Sequence, residues 1–176
     1  MELRPAGWAD AEGIARLHAE SWRDSYRGIL TDEYLDHWVF EDRLALWRKR
    51  FEDPKTDPRL VLLIEDQGGL LGFVCVLLDA DPRWGALLDN LHIRPDFRGQ
   101  GLGRKLMAEA AAWVVERRPG SGLYLWVFED NFRARRFYER LGGAAGERRA
   151  ADASDGRKVM AVRYSWTNLD SLYNSP

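Results

Sequence analysis

Apolar residues recur along this chain with two periods, and the switches between them predict the order of its elements. Leu3 opens a short strand that Pro5 ends. Asp10 can then cap a helix in which Ile14, Leu17 and His18 recur at helical spacing towards Trp22. Tyr26 to Leu30 breaks that helix. Thr31 offers a second cap, and Glu41 to Phe51 carries Leu44, Trp47 and Phe51 on one face. The turn-rich loop Asp53 to Pro58 separates this helical arm from two apolar runs, Leu60 to Ile64 and Leu70 to Leu78, joined as a hairpin through Gln67-Gly68-Gly69. Ala86 to Ile93 is a further strand, stopped by Pro95. The period then lengthens: Leu102, Leu106, Ala110, Trp113 and Val114 make a helical stripe over Gly101 to Arg117, and Leu123 to Phe128 is a short strand. Asn131 can cap a helix that turns Ala134, Phe137, Tyr138 and Leu141 inward and ends at Gly142-Gly143, and Lys158 to Trp166 alternates as a last strand.

Strands and helices are mixed without strict alternation, which predicts an α+β fold, layered αβα around a mixed sheet, and not a doubly wound one. With 176 residues, one domain over 1–166 is expected, and 167–176 reads as a peripheral C-terminal tail.

Composition narrows the function classes. The chain is 45% hydrophobic and 31% charged, with 26 basic against 28 acidic side chains and a net charge of -2, the profile of an ordinary soluble domain. That balance argues against a nucleic-acid partner. No apolar stretch reaches the roughly 20 residues that span a bilayer, and Met1 to Pro5 lacks the apolar run of a signal peptide, so no membrane partner is expected. Cys75 is the single cysteine, which excludes an intrachain disulfide and a cysteine zinc site. A reducing cytoplasm fits, and no metal is expected.

The chemistry concentrates where Leu91-His92-Ile93 runs through Arg94-Pro95-Asp96-Phe97 into Arg98-Gly99-Gln100-Gly101-Leu102-Gly103-Arg104. A strand here feeds a glycine-rich turn that opens directly into a helix. Gly99, Gly101 and Gly103 permit unusual dihedrals and close backbone approach, and the first helical N–H groups are left unpaired. With the positive end of the helix dipole, and with Arg98 and Arg104 adding charge, the turn suits a pyrophosphate. The spacing is neither the dinucleotide fingerprint nor a Walker loop.

The pattern Arg98-x-x-Gly101-x-Gly103, preceded by Leu91-His92-Ile93 and Pro95, resembles the coenzyme A signature of the GNAT superfamily of N-acyltransferases. A second block, Leu125 to Gly142, is similar to that family's strand-Asn-x-x-Ala-x-x-Phe-Tyr-x-x-Leu-Gly motif, here with Asn131, Ala134, Phe137, Tyr138, Leu141 and Gly142. The resemblance implies a central mixed, splayed sheet of about seven strands flanked by about four helices. It also implies acetyl-CoA or another short acyl-CoA as co-substrate, and an amine acceptor, small molecule or protein, that attacks the thioester directly in a ternary complex. Homodimers are common among such relatives. By resemblance, the backbone of Leu91, His92 and Ile93 holds the pantetheine and acyl carbonyl. Arg98, Gly99, Gln100, Gly101, Leu102, Gly103 and Arg104 hold the pyrophosphate, and Asn131 contacts the pantetheine arm. Tyr138 contacts the cofactor and is the candidate general acid, since a phenol of pKa near ~10 stays protonated at neutral pH.

The base is open between Asp89, His92 and a water chain; strict alternation puts Asp89 and His92 on opposite faces unless a bulge intervenes. Trp126 stands where some relatives carry a glutamate base, and Gly143 where relatives often carry an aromatic residue. His18, Trp22 and Tyr26 share one helical face and are candidates for the acceptor pocket, a stripe that core packing also explains. The competing reading is a non-catalytic acyl-CoA-binding regulator, which gives Tyr138 no role.

Overall fold

The computed structural model describes residues 1–52 and 59–173, so the predicted turn-rich loop at 53–58 and the end of the tail lie outside the described residues. Seven strands form one sheet: β1 (Glu2–Pro5), β2 (Arg59–Asp66), β3 (Gly69–Asp81), β4 (Gly85–Ile93), β5 (Leu123–Phe128), β6 (Ala144–Asp152) and β7 (Lys158–Trp166). Their order across the sheet is β1-β2-β3-β4-β5-β7-β6. All neighbours are antiparallel except β4 and β5, which run parallel. This is the mixed sheet the resemblance implies.

Helices α1 (Ala11–Ser25) and α2 (Val39–Glu52) cover one face, α2 entered through a π-helical turn at Tyr34–Trp38. Their stripes bury Ile14, Ala15, Leu17 and Trp47 against Val61, Leu63, Phe73 and Cys75 of the first hairpin. On the other face, α3 (Leu102–Arg117) puts Leu106, Met107, Ala110 and Val114 into a core shared with Val74, Val76, Leu125 and Tyr164. The α4 helix (Phe132–Arg140) adds Tyr138 to that core and packs Ala134 and Phe137 against it. Layers on both faces leave the sheet buried, which is why β3 reads as a continuous apolar run.

Three details depart from the sequence expectation. Asp10 stands at the start of α1, but its carboxylate accepts from the Gly7 amide and pairs with Arg4 instead of capping the helix. The edge strand β6 was not foreseen: Ala144 to Ala150 is exposed throughout, so Gly146, Glu147, Arg148 and Arg149 give no apolar alternation to read. The C-terminal segment buries Leu169 and, from the short helix α5 (Asp170–Tyr173) that follows it, Leu172 in the α3 core.

The splay is what positions the site. β4 and β5 pair only at Ala86–Leu123 and Leu87–Tyr124. Beyond those rungs β4 stays hydrogen-bonded to β3 alone and β5 to β7 alone, so two inner strand edges face each other across an opening.

Candidate active site

The opening is a cleft of about 660 Å³. Its walls are the inner edges of β4 and β5, with the C-terminal turns of α1, the inner face of α2, the glycine turn and α4 closing it. Of the residues singled out from sequence, Asp89, Leu91, His92, Ile93, Arg98, Gly99, Gly101, Leu102, Gly103, Arg104, Asn131, Tyr138, Trp22 and Tyr26 line it. Gln100 and His18 do not. Gln100 lies on the outer side of the turn, and His18 is sealed beneath the cleft floor with no exposure.

The glycine turn has the geometry that an anion cradle needs. Gly99 and Gly101 adopt φ of 78° and 82°, where a Cβ is disfavoured, and Gly101 is the N-cap of α3. The first helical bond runs from the Lys105 amide to the Gly101 carbonyl at 3.0 Å, so the amides of Leu102, Gly103 and Arg104 precede the ladder and have no acceptor within it. At Gly103 a Cβ would stand 3.3 Å from the Phe137 ring, which lets α3 and α4 approach closely. Arg98 lines the cleft and also pairs with Asp24 of α1, its guanidinium 3.4 Å from the Ser21 hydroxyl, so it braces the turn against α1. Arg133 of α4 joins the same carboxylate. Burial pushes the Asp24 pKa up, but the hydrogen bonds from Arg98 and Arg133 outweigh it and hold the group below the usual carboxylate range. Arg104 and Arg140 are exposed at the rim and make no ion pair among the described residues.

A bulge decides the arrangement of β4. Asn90 faces Cys75 and Leu88 faces Val76, leaving Asp89 without a partner on β3. The extra residue resets the alternation, and Asp89 and His92 both line the cleft. Asp89 is held by Arg50 of α2 through Oδ2, and Arg50 also donates to the Asn90 side chain at 2.8 Å.

His92 Nδ1 lies 2.9 Å from the Ser21 hydroxyl. Arg98 already donates to that hydroxyl, and the Ser21 O–H has no other acceptor among the described residues, so its proton points at Nδ1. Burial, with the charges of Arg98 and Arg43 adding to it, lowers the His92 pKa to about 3. The ring is therefore neutral and carries its proton on Nε2. His18 stacks 4.4 Å from it, accepts from Trp47 Nε1 at 3.1 Å, and is likewise held neutral by burial.

Tyr138 lies on α4 with its ring against Tyr164, Trp166 and Phe137. Its hydroxyl has no hydrogen-bond partner among the described residues, and burial raises its pKa well above the ordinary tyrosine value. Asn131 caps α4, its side-chain oxygen accepting from the Ala134 amide at 3.2 Å, and its amide N–H groups stay available to the cleft. Trp22 and Tyr26 form an aromatic wall with rings 5.1 Å apart, continued by Phe128 at 5.0 Å from Tyr26. Trp126 faces the cleft from β5, with the Arg149 guanidinium 3.9 Å over its ring. Sequence reasoning missed Ser21, Arg43 and Arg50. The one signal was that Arg43, Trp47 and Arg50 share a face at i, i+4 and i+7, placing two cations on a stripe that is otherwise apolar.

Known proteins agree with this geometry. Residues 14–143 match the family described as "Acetyltransferase (GNAT) family". An uncharacterised N-acetyltransferase of Archaeoglobus fulgidus is 31% identical over 146 residues, 78% of this chain and 89% of that one. The spermidine N(1)-acetyltransferase of Thermoplasma acidophilum is 24% identical over 81% of this chain and 87% of its own. Among solved structures, the PaiA N-acetyltransferase of T. acidophilum in complex with coenzyme A superposes with a TM-score of 0.70 at 22% identity, covering 94% of this chain and 98% of that one.

Proposed function

The chain belongs to the acetyltransferase (GNAT) family and is an acyl-CoA-dependent N-acyltransferase, and from that premise we propose how its own residues divide the work. The observation that carries the reading is the parting of β4 from β5 after Leu87 and Tyr124, beside the open amides of α3. An extended pantetheine arm has strand-like geometry and amides of its own, so the free edge of β4 from Leu91 to Ile93 can pair with it. The amides of Leu102, Gly103 and Arg104 then receive the pyrophosphate at the positive end of α3, with Arg104 and Arg140 at the rim. Asn131 donates to the arm from the opposite wall.

In the reaction the acceptor nitrogen bonds to the thioester carbonyl carbon, a tetrahedral oxyanion forms, and the C–S bond breaks as the thiolate takes up a proton. Tyr138 supplies that proton. Its raised pKa keeps the phenol protonated until charge develops on sulfur, and a thiolate in the same desolvated cleft is raised in the same direction. His92 is better suited to donate than to accept: a neutral ring with its proton on Nε2 and a conjugate acid near pKa 3 gives little drive for removing a proton from an ammonium. It acts as a hydrogen-bond donor to the acyl oxygen. Asp89, whose Oδ1 has no partner among the described residues, receives the amine and its proton, directly or through water. The same burial that keeps both histidines neutral disfavours an acceptor ammonium and so favours the attacking free amine.

The test is coenzyme A thiol release from acetyl-CoA across an amine panel, with acetyl-CoA binding measured in parallel. Loss of turnover in Tyr138→Phe with binding retained, and loss of both in Gly101→Glu, supports the assignment. Tight acetyl-CoA binding with no turnover on any amine or protein acceptor favours the regulatory reading. The sequence carries one cysteine, Cys75, so no intrachain disulfide can form, which supports a reducing cytoplasmic location.

A further inference from the structure

The acceptor half of the cleft contains a buried cation that the transfer reaction does not require. Arg43 projects from α2 over the face of Trp22, 4.3 Å from ring centroid to guanidinium carbon, with only 11% of its side chain exposed. Its Nη2 donates to Asp42 at 2.7 Å and to Ser154 at 3.3 Å. Asp42 is the more exposed partner, at 42%, and is shared with the Tyr34 hydroxyl. The rest of the guanidinium is unmatched: Nε is buried with no hydrogen-bond partner, and Nη1 has none among the described residues. A cation this enclosed with half its donors idle is costly unless something else meets it.

Among the described residues the cleft lining offers no anion for those donors. Arg50, two turns along α2, carries the same sign, and the single carboxylate on the cleft wall among the described residues, Asp89, is already bound to it. Trp22, Tyr26, Trp126 and Phe128 supply apolar surface around the gap. On this geometry, and resting on the transferase reading above, we infer that the acceptor is an amine that also carries a carboxylate, an amino-acid-like molecule with an apolar or aromatic body, whose carboxylate meets Arg43 while its nitrogen faces Asp89. A polyamine places a second and third cation against Arg43 and Arg50, and is disfavoured by like charge.

The experiment uses matched acceptors on the full chain: L-phenylalanine, L-phenylalaninamide and spermidine, each assayed for thiol release from acetyl-CoA and, separately, for binding to the enzyme–coenzyme A complex by calorimetry. The carboxylate should exceed the carboxamide by about ten- to a hundredfold in kcat/KM and in affinity, the range of a charge-assisted hydrogen bond to a buried group. Arg43→Gln should remove that preference through KM, leaving the carboxamide unchanged. Equal use of acid and amide by the unaltered protein, or a preference for spermidine, overturns the inference while the transferase reading stands. If none of the three releases thiol, the wider amine panel decides the transferase reading, and the calorimetric comparison of acid with amide still decides whether Arg43 holds a carboxylate.

Discussion

Arg98 pairs with Asp24 across the gap between the glycine turn and α1, so the arginine of the cofactor motif also holds the turn in place. Removing the carboxylate frees both Arg98 and Arg133. Asp24→Asn should raise the acetyl-CoA KM by about tenfold, the loss of a charge-assisted contact, with a smaller effect on kcat. Steady-state kinetics with acetyl-CoA varied checks this; an unchanged KM means that the backbone cradle is rigid without the brace.

Gly101 sits at φ of 82°, and a side chain there is strained whether or not a cofactor is bound. Gly101→Ala should cost about 1–2 kcal/mol of stability from the left-handed backbone alone, seen as a lower thermal midpoint in the cofactor-free protein.

Gly72 pairs with Ile93 at the end of β4, and a Cβ on it would lie 2.4 Å from the Ile93 side chain and 2.7 Å from the His92 carbonyl. The second contact is backbone and cannot rotate away. Gly72→Ala should therefore destabilise the fold by about 1–3 kcal/mol and shift the β4 edge, so that acetyl-CoA affinity falls with stability. Denaturant unfolding and acetyl-CoA titration read the two effects.

The histidine pair sets a pH dependence. Both rings have folded pKa values below the unfolded value near ~6.5, His92 at about 3. The unfolded chain therefore binds protons first: stability is full above pH ~6.5 and falls as the pH drops towards the folded values, by up to about 1.4 kcal/mol per pH unit for each ring, less for His92 because it is partly exposed to the cleft. Unfolding measured between pH 7 and pH 5 should show this slope, and His92→Gln should reduce it.

The same neutrality predicts an activity profile. His92 does not ionise between pH 5 and 8, so kcat/KM should show no limb near pH 6.5 that His92→Gln removes. Finding such a limb returns His92 to the role of base.

Much was legible locally. The strands Leu123–Phe128 and Lys158–Trp166 emerged with their bounds, because the first is an apolar run and the second alternates, each ending at polar residues. The glycine turn and the Asn131-to-Tyr138 block were legible because their roles rest on backbone conformation and helix capping, which lie within a few residues of one another. Gly143 shows the limit. Its sequence neighbours explain nothing, yet a Cβ there would stand 2.6 Å from the Trp166 ring, which fills the space from β7 and donates to the Leu141 carbonyl at 2.8 Å.

The sequence by itself determined most of the elements, the glycine turn at the start of α3 and the placing of Tyr138 seven residues after its helix cap, since all of these follow from short-range periodicity and steric rules. Only the tertiary structure decided that β4 bulges at Asp89 and so turns Asp89 and His92 to one wall. It also decided that Arg98 braces the glycine turn against α1, that His92 holds its proton on Nε2, and that Arg43 lies unmatched beside Trp22. Each of these depends on a partner dozens of residues away: Cys75 for the bulge, Asp24 for Arg98, Ser21 for His92 and the Trp22 ring for Arg43. A charge or ring states its chemistry in the sequence, but which of its edges is satisfied is a property of packing.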